Sequence, residues 1–393
     1  MLILRNLLVL ALALGLAGCA ARTRNGSAVG TSGSADQVTL QDPTALAAPP
    51  GTTPSTSPGT TAAPVTRPAL KPALPAAPSA EIANVWIPLA AWCATNNGSP
   101  PRLVEAGAQP VYAIDGATGK FTVRVATQVA TWDGLEIRLG YAPQMANDQP
   151  MLHALDLAKT VKPLLAGPAP QRLPERPTIV LDPGHGGTDA GAKSVLGPYY
   201  EKSYTLDLAF RLRDLLTAAG WQVHLTRTRD VDMSLADRVA FAERHRADLF
   251  VSLHFNSLAP NQVESGLETY CLTPAGLPSN LTRGYADDLT QVWPNNAFDV
   301  ENLHLAARVH RALLRATTMT DRGIRRARFL GVLRNQNRPA ILVEAAYISN
   351  PSQAQQVASA AFRQKLAEGL AGALLGSRQT ASEPAPARAT TGQ

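Results

Sequence analysis

From residue 178 onward, short apolar runs alternate with stretches of helical periodicity. Apolar runs of strand length lie at 178–182, 221–226, 248–254, 266–272, 329–333 and 340–345. Helical patterns lie at 201–219, 234–246, 300–319 and 352–375. In the first helix Leu208, Leu212 and Leu215 share one face, and Gly220 follows as a C-terminal cap. Strands that alternate with helices predict an open, mostly parallel, twisted α/β sheet covered by helices on both faces.

Upstream of this region, residues 83–166 are rich in strand-type residues separated by Gly, Asp and Asn turns. The strand-like runs are VWIPLAAWC, PVYAIDG, FTVRVATQVATW and LEIRLGY, and HALDLAKTVKPLL has a short helical pattern. The pattern resembles the small stalk-like β-domains of some exported bacterial proteins. We therefore predict a small β-rich accessory domain at 83–166, a linker at 167–177 and an α/β domain at 178–376.

The two ends of the chain differ from these regions in composition. Residues 19–82 are rich in Pro, Ala, Thr, Ser and Gly, and 377–393 are polar. Few large apolar side chains are available to offset the entropy of ordering these stretches. We predict a disordered tether at 19–82, which prolines keep extended, and a disordered tail at 377–393.

The first eighteen residues have the pattern of a secretory signal peptide. Arg5 precedes an apolar Leu/Ala run that is too short to span a bilayer comfortably. The sequence Leu-Ala-Gly-Cys at 16–19 resembles the lipobox of bacterial lipoproteins. That resemblance implies cleavage before Cys19, lipidation of its thiol and a membrane anchor. The alternative is a plain signal peptide in which the cysteine is incidental.

Charge and cysteine content restrict the partners of the chain. The formal net charge is +6 with an isoelectric point near 9.4, and the basic residues are scattered apart from arginines at 322–328. Outside the cytoplasm, a mildly basic surface suits an anionic envelope polymer better than nucleic acid. Cys93 and Cys271 lie in different predicted domains, so we expect two buried thiols instead of a disulfide.

Four side chains at the ends of predicted elements could form a hydrolytic metal site. His185 and His254 follow or end predicted strands, whose ends cluster at one edge of such a sheet. Glu201 opens the first long helix, where an acid is also favoured for ordinary reasons. Glu344 ends a strand after Ala-Ile-Leu-Val, and a carboxylate buried there needs a partner or a task. Two imidazoles and one carboxylate make a catalytic zinc set, and a second carboxylate supplies a base.

Several ordered blocks resemble one known family, the type-three zinc-dependent N-acetylmuramoyl-L-alanine amidases. The matching blocks, within about 178–375, are IVLDPGHGGTDAGA, EKSYTLDLAFRLRDLL, VHLTRTRDVDMSLADRVAFA, ADLFVSLHFNS, SGLETY and RGIRRARFLGVLRNQNRPAILVEAAYISNPSQ. The resemblance implies that His185, Glu201 and His254 bind one Zn²⁺ and that Glu344 is the catalytic acid and base. It also implies the substrate, which is the amide that joins N-acetylmuramic acid to L-alanine of the peptidoglycan stem peptide.

The resemblance also sets expectations for regulation and location. Some family members carry an autoinhibitory helix in the region of 273–300, which an activator protein displaces. Here Pro274, Gly276, Pro278 and Pro294 disfavour a helix, so we expect mostly loop, with one short helix around 284–292. An activator is thus a candidate partner beside peptidoglycan. Because Ala20 is not an acidic retention signal, the lipoprotein reading predicts the periplasmic face of the outer membrane.

Other polar residues have two readings each. Asp182 either accepts a hydrogen bond from His185 as a supporting carboxylate or only forms the Asp-Pro turn. Asn256 either orients substrate or caps a turn. Arg322 and Arg325 either meet stem-peptide carboxylates or belong to a solvated loop. Four further histidines, His224, His245, His304 and His310, have the pattern of residues on helix or strand surfaces.

Three functions other than an amidase are each compatible with part of the sequence. GGTDAGAKS at 186–194 nearly matches a phosphate-binding loop, but Ala192 intervenes before Lys193 and helical periodicity resumes only near Glu201. A tether with a β-domain would also suit a non-catalytic peptidoglycan-binding lipoprotein. A zinc peptidase that shortens stem peptides would use the same metal chemistry as an amidase.

Overall fold

The computed structural model describes residues 73–77, 85–96, 98–167, 173–281 and 286–379. The predicted signal peptide and Cys19 lie outside the described residues, as do most of the predicted tether and tail. Among the described helices, none combines the length and the apolar character needed to cross a membrane.

The described elements, in chain order, divide into an N-terminal and a C-terminal series. The first series is β1 (Trp86–Pro88), α1 (Leu89–Thr95), β2 (Arg102–Glu105), β3 (Val111–Gly116), β4 (Gly119–Arg124), β5 (Val129–Trp132), β6 (Leu135–Arg138), β7 (Gln144–Ala146), β8 (Gln149–His153), α2 (Ala154–Asp156), a π-helical turn (Leu157–Val161) and α3 (Lys162–Ala166). The second series is β9 (Thr178–Pro183), α4 (Glu201–Ala218), β10 (Gln222–Leu225), α5 (Leu235–Arg244), β11 (Leu249–Asn256), β12 (Leu267–Cys271), a 3₁₀ turn (Pro294–Phe298), α6 (Asp299–Thr317), β13 (Asp321–Arg326), α7 (Gly331–Arg334), β14 (Ala340–Tyr347), α8 (Pro351–Ala358) and α9 (Ala360–Gln379).

The second series forms the predicted open, mostly parallel sheet. Its strand order is β10-β9-β11-β14-β12-β13. The first four of these strands are parallel neighbours, β12 runs antiparallel to β14, and β13 is parallel to β12. The carboxyl ends of β9 and β11 therefore lie at the same edge of the sheet, which is where such sheets place their sites.

Alternation along the central strands buries both faces of this sheet. In β9, Ile179 and Leu181 pack in the cluster that contains Leu208 of α4, whereas Val180 packs with Ala242 of α5 on the other face. Side chains one residue apart point to opposite faces of a strand, so a continuous apolar run needs cover on both sides. The prediction of helices on both faces is confirmed.

The β-rich residues upstream extend the same sheet. Strands β6, β5, β4, β3 and β2 continue it as an antiparallel meander, and Ile137 of β6 pairs with Ile324 of β13. Strands β1, β8 and β7 form a separate three-stranded sheet. Strand-rich structure in this region agrees with the sequence, while the exact domain boundaries stay a prediction.

Local assignments differ from the sequence analysis at several places. Residues 329–333 are not a strand, because β13 lies earlier and residues 331–334 form α7. Part of VWIPLAAWC is helix α1, and the helix expected at 352–375 is two helices separated at Ser359. Cys93 and Cys271 are free and buried, as expected.

The segment between β12 and α6 contains no helix at 286–292, contrary to the expectation. It is fixed by Arg328, whose guanidinium donates to the carbonyl oxygens of four of its residues, Pro274, Leu277, Leu289 and Gln291, at 2.8–3.2 Å. The same segment contacts the upstream region, since Tyr141 Oη donates to the Gly276 carbonyl and Asn280 Nδ2 to the Leu139 carbonyl. The described part of this segment thus contacts both Arg328, just after β13, and the β-rich region.

Candidate metal centre

Two strand ends and one helix start bring together the predicted metal ligands. His185 follows β9, His254 lies near the end of β11, and Glu201 is the first residue of α4. The Nε2 of His185 lies 3.1 Å from Glu201 Oε2, and the Nδ1 of His254 lies 3.0 Å from Glu201 Oε1. One donor atom from each residue lies within 4.8 Å of the others, so one ion could contact all three.

The loop after β9 is shaped to bring these groups close. His185 itself has φ of 62°, in the left-handed region that side chains rarely adopt. A Cβ at Gly184 would overlap the His254 ring, and one at Gly191, where φ is 65°, would lie against His185 and Glu201. Glycine at these two positions leaves the space in which both imidazoles approach the carboxylate.

Two buried arginines hold this loop in place. Arg227 donates to the carbonyl oxygens of Pro183 and Gly184 at 3.0 and 2.8 Å. Arg238 donates to the carbonyl of His185 at 2.9 Å. Donors fixed by the rest of the fold thus maintain the strained backbone at His185.

The contact between His185 and Glu201 needs a positive charge, from either a proton or a metal ion. Nδ1 of His185 lies 2.8 and 2.9 Å from the two carboxylate oxygens of Asp189, which only accept, so this nitrogen carries a proton. In a neutral ring Nε2 is then an acceptor that faces an acceptor of Glu201. Burial lowers the pKa of His185, but the charges and hydrogen bonds of Glu201 and Asp189 outweigh it and raise that pKa to about 10. A divalent cation fits this arrangement in place of the proton.

The two buried glutamates of the centre have opposite electrostatics. Burial opposes ionisation of Glu201, yet His185 and His254 hold its pKa well below the usual range. Burial, together with repulsion from Glu201 and Glu268, raises the pKa of Glu344 well above its usual value. Oε2 of Glu344 is buried and has no hydrogen-bond partner among the described residues. Glu201 is therefore held as an anion, while Glu344 can exchange a proton.

A family comparison agrees with this geometry. The family model described as N-acetylmuramoyl-L-alanine amidase matches residues 179–375 of the chain. The chain belongs to this family.

Relatives of the amidase-family domain include proteins from several bacteria. AmiC of Escherichia coli O6:H1 (strain CFT073) is 33% identical over 240 residues, which are 55% of this chain and 56% of that protein. AmiA of Escherichia coli (strain K12) is 30% identical over 214 residues, 49% of this chain and 73% of that protein. Both carry the name N-acetylmuramoyl-L-alanine amidase. The chain thus spans little more than half of the first relative and nearly three quarters of the second.

Solved structures of amidases are also similar. N-acetylmuramoyl-L-alanine amidase AmiC2 of Nostoc punctiforme has a TM-score of 0.43 and 31% identity, over 54% of this chain and 99% of that one. The catalytic domain of CwlV from Bacillus (Paenibacillus) polymyxa var. colistinus has a TM-score of 0.43 and 29% identity, over 52% and 99%.

Beside Glu344, the amidase-family domain buries a polar cluster centred on Glu268. Glu268 is the cross-strand partner of Glu344 in the antiparallel pair of β12 and β14. Its Oε1 accepts from Arg322 Nε at 2.9 Å and Tyr347 Oη at 2.7 Å, and it lies 3.4 Å from Arg325 Nη2. Burial opposes the charge of Glu268, but Arg325 and these hydrogen bonds keep its pKa below the usual value. The sequence analysis did not find this residue.

The arginines and Asn256 have structural roles in this cluster. Arg322 and Arg325 lie in β13 and are mostly buried, so the solvated-loop reading is wrong. Their contact with stem-peptide carboxylates stays a prediction. Asn256 is buried, donates to Glu268 Oε2 at 3.1 Å, and accepts from the Ser257 amide at 2.7 Å. The turn-capping reading of Asn256 therefore describes its contacts.

Of the two readings of Asp182, the hydrogen bond from His185 is not the one observed. Asp182 is buried under the loop and accepts from Thr226, Arg238 and Ser252. Asp189 takes the predicted place beside His185, because the loop turns back and brings its fourth following residue to Nδ1. Only its position in the glycine-rich loop could have indicated this from the sequence.

Two of the remaining histidines are not surface residues. His310 is fully buried between Thr269 and Asp321, to which its two ring nitrogens lie at 2.9 Å. His304 is buried as well. Both lie on α6, which packs against β12, and neither belongs to the metal centre.

Proposed function

We propose that this chain is a zinc-dependent N-acetylmuramoyl-L-alanine amidase that cleaves peptidoglycan. The observation that carries the proposal is the His185–Glu201–His254 set, whose glutamate is buried, beside a Glu344 oxygen without a hydrogen-bond partner among the described residues, in a chain of the amidase family. The scissile bond would be the amide between the lactyl group of N-acetylmuramic acid and L-alanine of the stem peptide.

The donor set fits zinc. Two imidazoles and one carboxylate are the protein ligands of many catalytic zinc sites, which leave a position for water or substrate. Bound by His185, Glu201 and His254, one Zn²⁺ would polarise the amide carbonyl and lower the pKa of a water molecule. Asp189 supports this set, because it holds His185 with Nε2 towards Glu201.

Glu344 is the proposed proton carrier. As a carboxylate it takes a proton from the attacking water, and as an acid it returns the proton to the leaving nitrogen of L-alanine. The raised pKa supports the second step, because it favours the protonated form of Glu344 that can donate. Burial around Glu344 also excludes bulk water from the path of this proton.

Digestion of peptidoglycan tests the proposal. The full chain is incubated with dye-labelled peptidoglycan, with and without a chelator and with Zn²⁺ restored, and the products are analysed by mass spectrometry. An amidase releases intact stem peptides with a free L-alanine amine, and the chelator abolishes release. Shortened stems would identify a peptidase instead. Binding to peptidoglycan without any zinc-dependent release would favour the non-catalytic reading.

The cellular setting is part of the same proposal. A lipid on Cys19 would anchor the chain at the periplasmic face of the outer membrane, with residues 20–82 as a tether to the peptidoglycan. Remodelling of the wall, separation of daughter cells and recycling are the roles that such an anchored amidase could serve. Membrane fractionation of wild type and Cys19→Ala tests the anchor, because a lipoprotein moves to the soluble fraction when its cysteine is removed.

An activator protein is a further proposed partner. Among the described residues of 273–300, no α-helix precedes α6, and Arg328 fixes the segment by four carbonyl contacts. The test is whether cell extract accelerates slow cleavage by the pure chain. If it does, an activator acts on this chain by a mechanism other than displacement of a helix from this segment.

A further inference from the structure

A buried polar chain beneath the metal centre leads from Asp182 to His254. Asp182 and Ser252 are paired residues in the neighbouring parallel strands β9 and β11. Ser252 Oγ donates to Asp182 Oδ2 at 2.8 Å, and Nε2 of His254 lies 3.1 Å from the same Oγ. Asp182 and Ser252 are both buried, at 1% and 0% exposure, so water does not compete for these contacts.

The direction of these hydrogen bonds follows from the donors available. Asp182 is ionised, because Arg238 and its hydrogen-bond donors outweigh burial and lower its pKa. An ionised carboxylate only accepts, so the single proton of the Ser252 hydroxyl points to Asp182. The oxygen of Ser252 is then left as an acceptor for His254. Nε2 of His254 must therefore carry a proton, and Nδ1 presents its lone pair to the metal position beside Glu201.

His254 and His185 thus turn opposite ring nitrogens to the metal position, and each ring is held by a different kind of partner. His185 donates directly to a carboxylate, Asp189, on a partly exposed loop. His254 lies within β11, where Ser252 is two residues earlier and therefore on the same face of the strand. The serine spans the gap between the ring and the carboxylate of the next strand.

Asp182 is also linked to His185, through Arg238. Arg238 donates from Nη1 to Asp182 Oδ1 at 2.6 Å and from Nη2 to the carbonyl of His185 at 2.9 Å. One buried carboxylate is therefore connected to the side chain of His254 and to the backbone of His185.

We propose that Ser252 and Asp182 form a relay that fixes the tautomer of His254 and aims its Nδ1 at the bound metal, which makes Ser252 a positioning residue. The inference rests on the proposed zinc site. Supporting partners of metal-bound histidines typically change metal affinity by about 10- to 100-fold when removed.

The test compares zinc affinity of Ser252→Ala with that of Thr226→Val in the full chain. Thr226 is the matched control, because its hydroxyl also donates to Asp182, at 2.6 Å, but does not contact His254. In chelator competition we expect Ser252→Ala to bind Zn²⁺ about 10- to 100-fold more weakly than wild type. Thr226→Val should stay within about threefold, because the tautomer is unaffected.

A second readout does not depend on the affinity measurement. In the zinc-loaded wild type, the Nε2 proton of His254 should give a slowly exchanging NMR signal, which Ser252→Ala loses and Thr226→Val keeps. A rapidly exchanging proton in wild type, or equal zinc affinity of the two variants, would overturn the relay while the zinc site stands. Failure of wild type to bind Zn²⁺ would overturn both the relay and the proposed cofactor.

Discussion

At the residue scale, Glu201 and Glu344 differ in role because their environments differ. Glu201 lies between two imidazoles and stays ionised, whereas Glu344 lies near two other carboxylates and is driven towards its protonated form. The residue types are identical, and the same burial opposes charge in both. The neighbouring charges therefore decide which glutamate stays ionised and which favours its protonated form.

Glu344→Gln should separate proton transfer from metal binding. The amide has nearly the same shape but cannot take up a proton, so turnover should fall by about 10²- to 10⁴-fold. Zinc content, measured by atomic spectroscopy on the purified variant, should equal that of wild type because His185, Glu201 and His254 are unchanged. Turnover close to wild type would remove Glu344 from the mechanism.

His254→Ala should instead remove the metal. Two of the three proposed ligands remain, and a set of two rarely retains zinc against a chelator. We expect substoichiometric zinc after dialysis and no dye release from peptidoglycan. His224→Ala is the matched control, since His224 is a half-buried residue of β10 that stacks on His245. Equal zinc loss in both variants would argue against a specific role of His254.

At the element scale, strand order explains why distant residues meet. His185 and His254 follow neighbouring parallel strands, and Glu344 lies opposite His254 on the next strand, β14. A register shift between β11 and β14 occurs just after this pair, and pairing resumes between Asn256 and Tyr347. The site thus lies near the carboxyl end of β11, where this irregularity interrupts the ladder.

Arg328→Ala tests the segment between β12 and α6. Removal of the guanidinium leaves several carbonyl oxygens without their donor, so the free energy of unfolding should fall by roughly 2–4 kcal/mol. Urea denaturation measures this loss, and Arg213→Ala, which removes an exposed arginine paired with Asp214, serves as control with a change under about 0.5 kcal/mol. A similar small change in both variants would mean that Arg328 does not fix the segment.

At the scale of the whole molecule, the upstream region and the amidase-family domain share one sheet and several buried contacts. Asp156 accepts from the amides of Gly140 and Tyr141 at 2.8 and 2.9 Å, next to the turn that meets Gly276. Arg326 of β13 donates to Thr160 and to the carbonyl of Lys159. These contacts indicate that stability of the upstream region and of the amidase-family domain is coupled.

Asp156 gives this coupling a pH dependence. Burial raises its pKa from 3.8 to about 6, against the opposing effect of its backbone hydrogen bonds. The folded state therefore holds a proton that the unfolded state releases between pH 4 and 6. Stability from this group is fully present below pH 4 and is lost as the pH rises through 6, by about 3 kcal/mol.

Asp156→Asn should remove that dependence. The difference in unfolding free energy between wild type and Asp156→Asn, measured by urea denaturation from pH 4 to pH 7.5, should shift against wild type as the pH rises. Asp115→Asn, at an exposed ion pair with Arg102, is the control and should give a nearly flat difference. A flat difference for Asp156→Asn would show that its pKa is not raised in the folded state.

The sequence by itself determined the α/β domain and the four residues of the centre. The α/β domain could be predicted because continuous apolar runs, which need cover on both faces, are visible in the local sequence. The residues of the centre could be predicted because the histidines at strand ends lie within ordered blocks that resemble the family. The sequence predicted a strand at 329–333, where the structure has α7, because a short apolar run is compatible with either element. The break between α8 and α9 was missed for a related reason, since helical periodicity continues across it.

Only the tertiary structure decided how the centre is supported. Asp189 reaches His185 across a turn of the loop, and Ser252 and Glu268 have partners on neighbouring strands. The sequence left open whether Asp182 accepts from His185, because chain proximity does not determine which side of a strand end a carboxylate faces. Local pattern fixes which residues reach the edge of the sheet, whereas the register between strands fixes which hydrogen bonds those residues make.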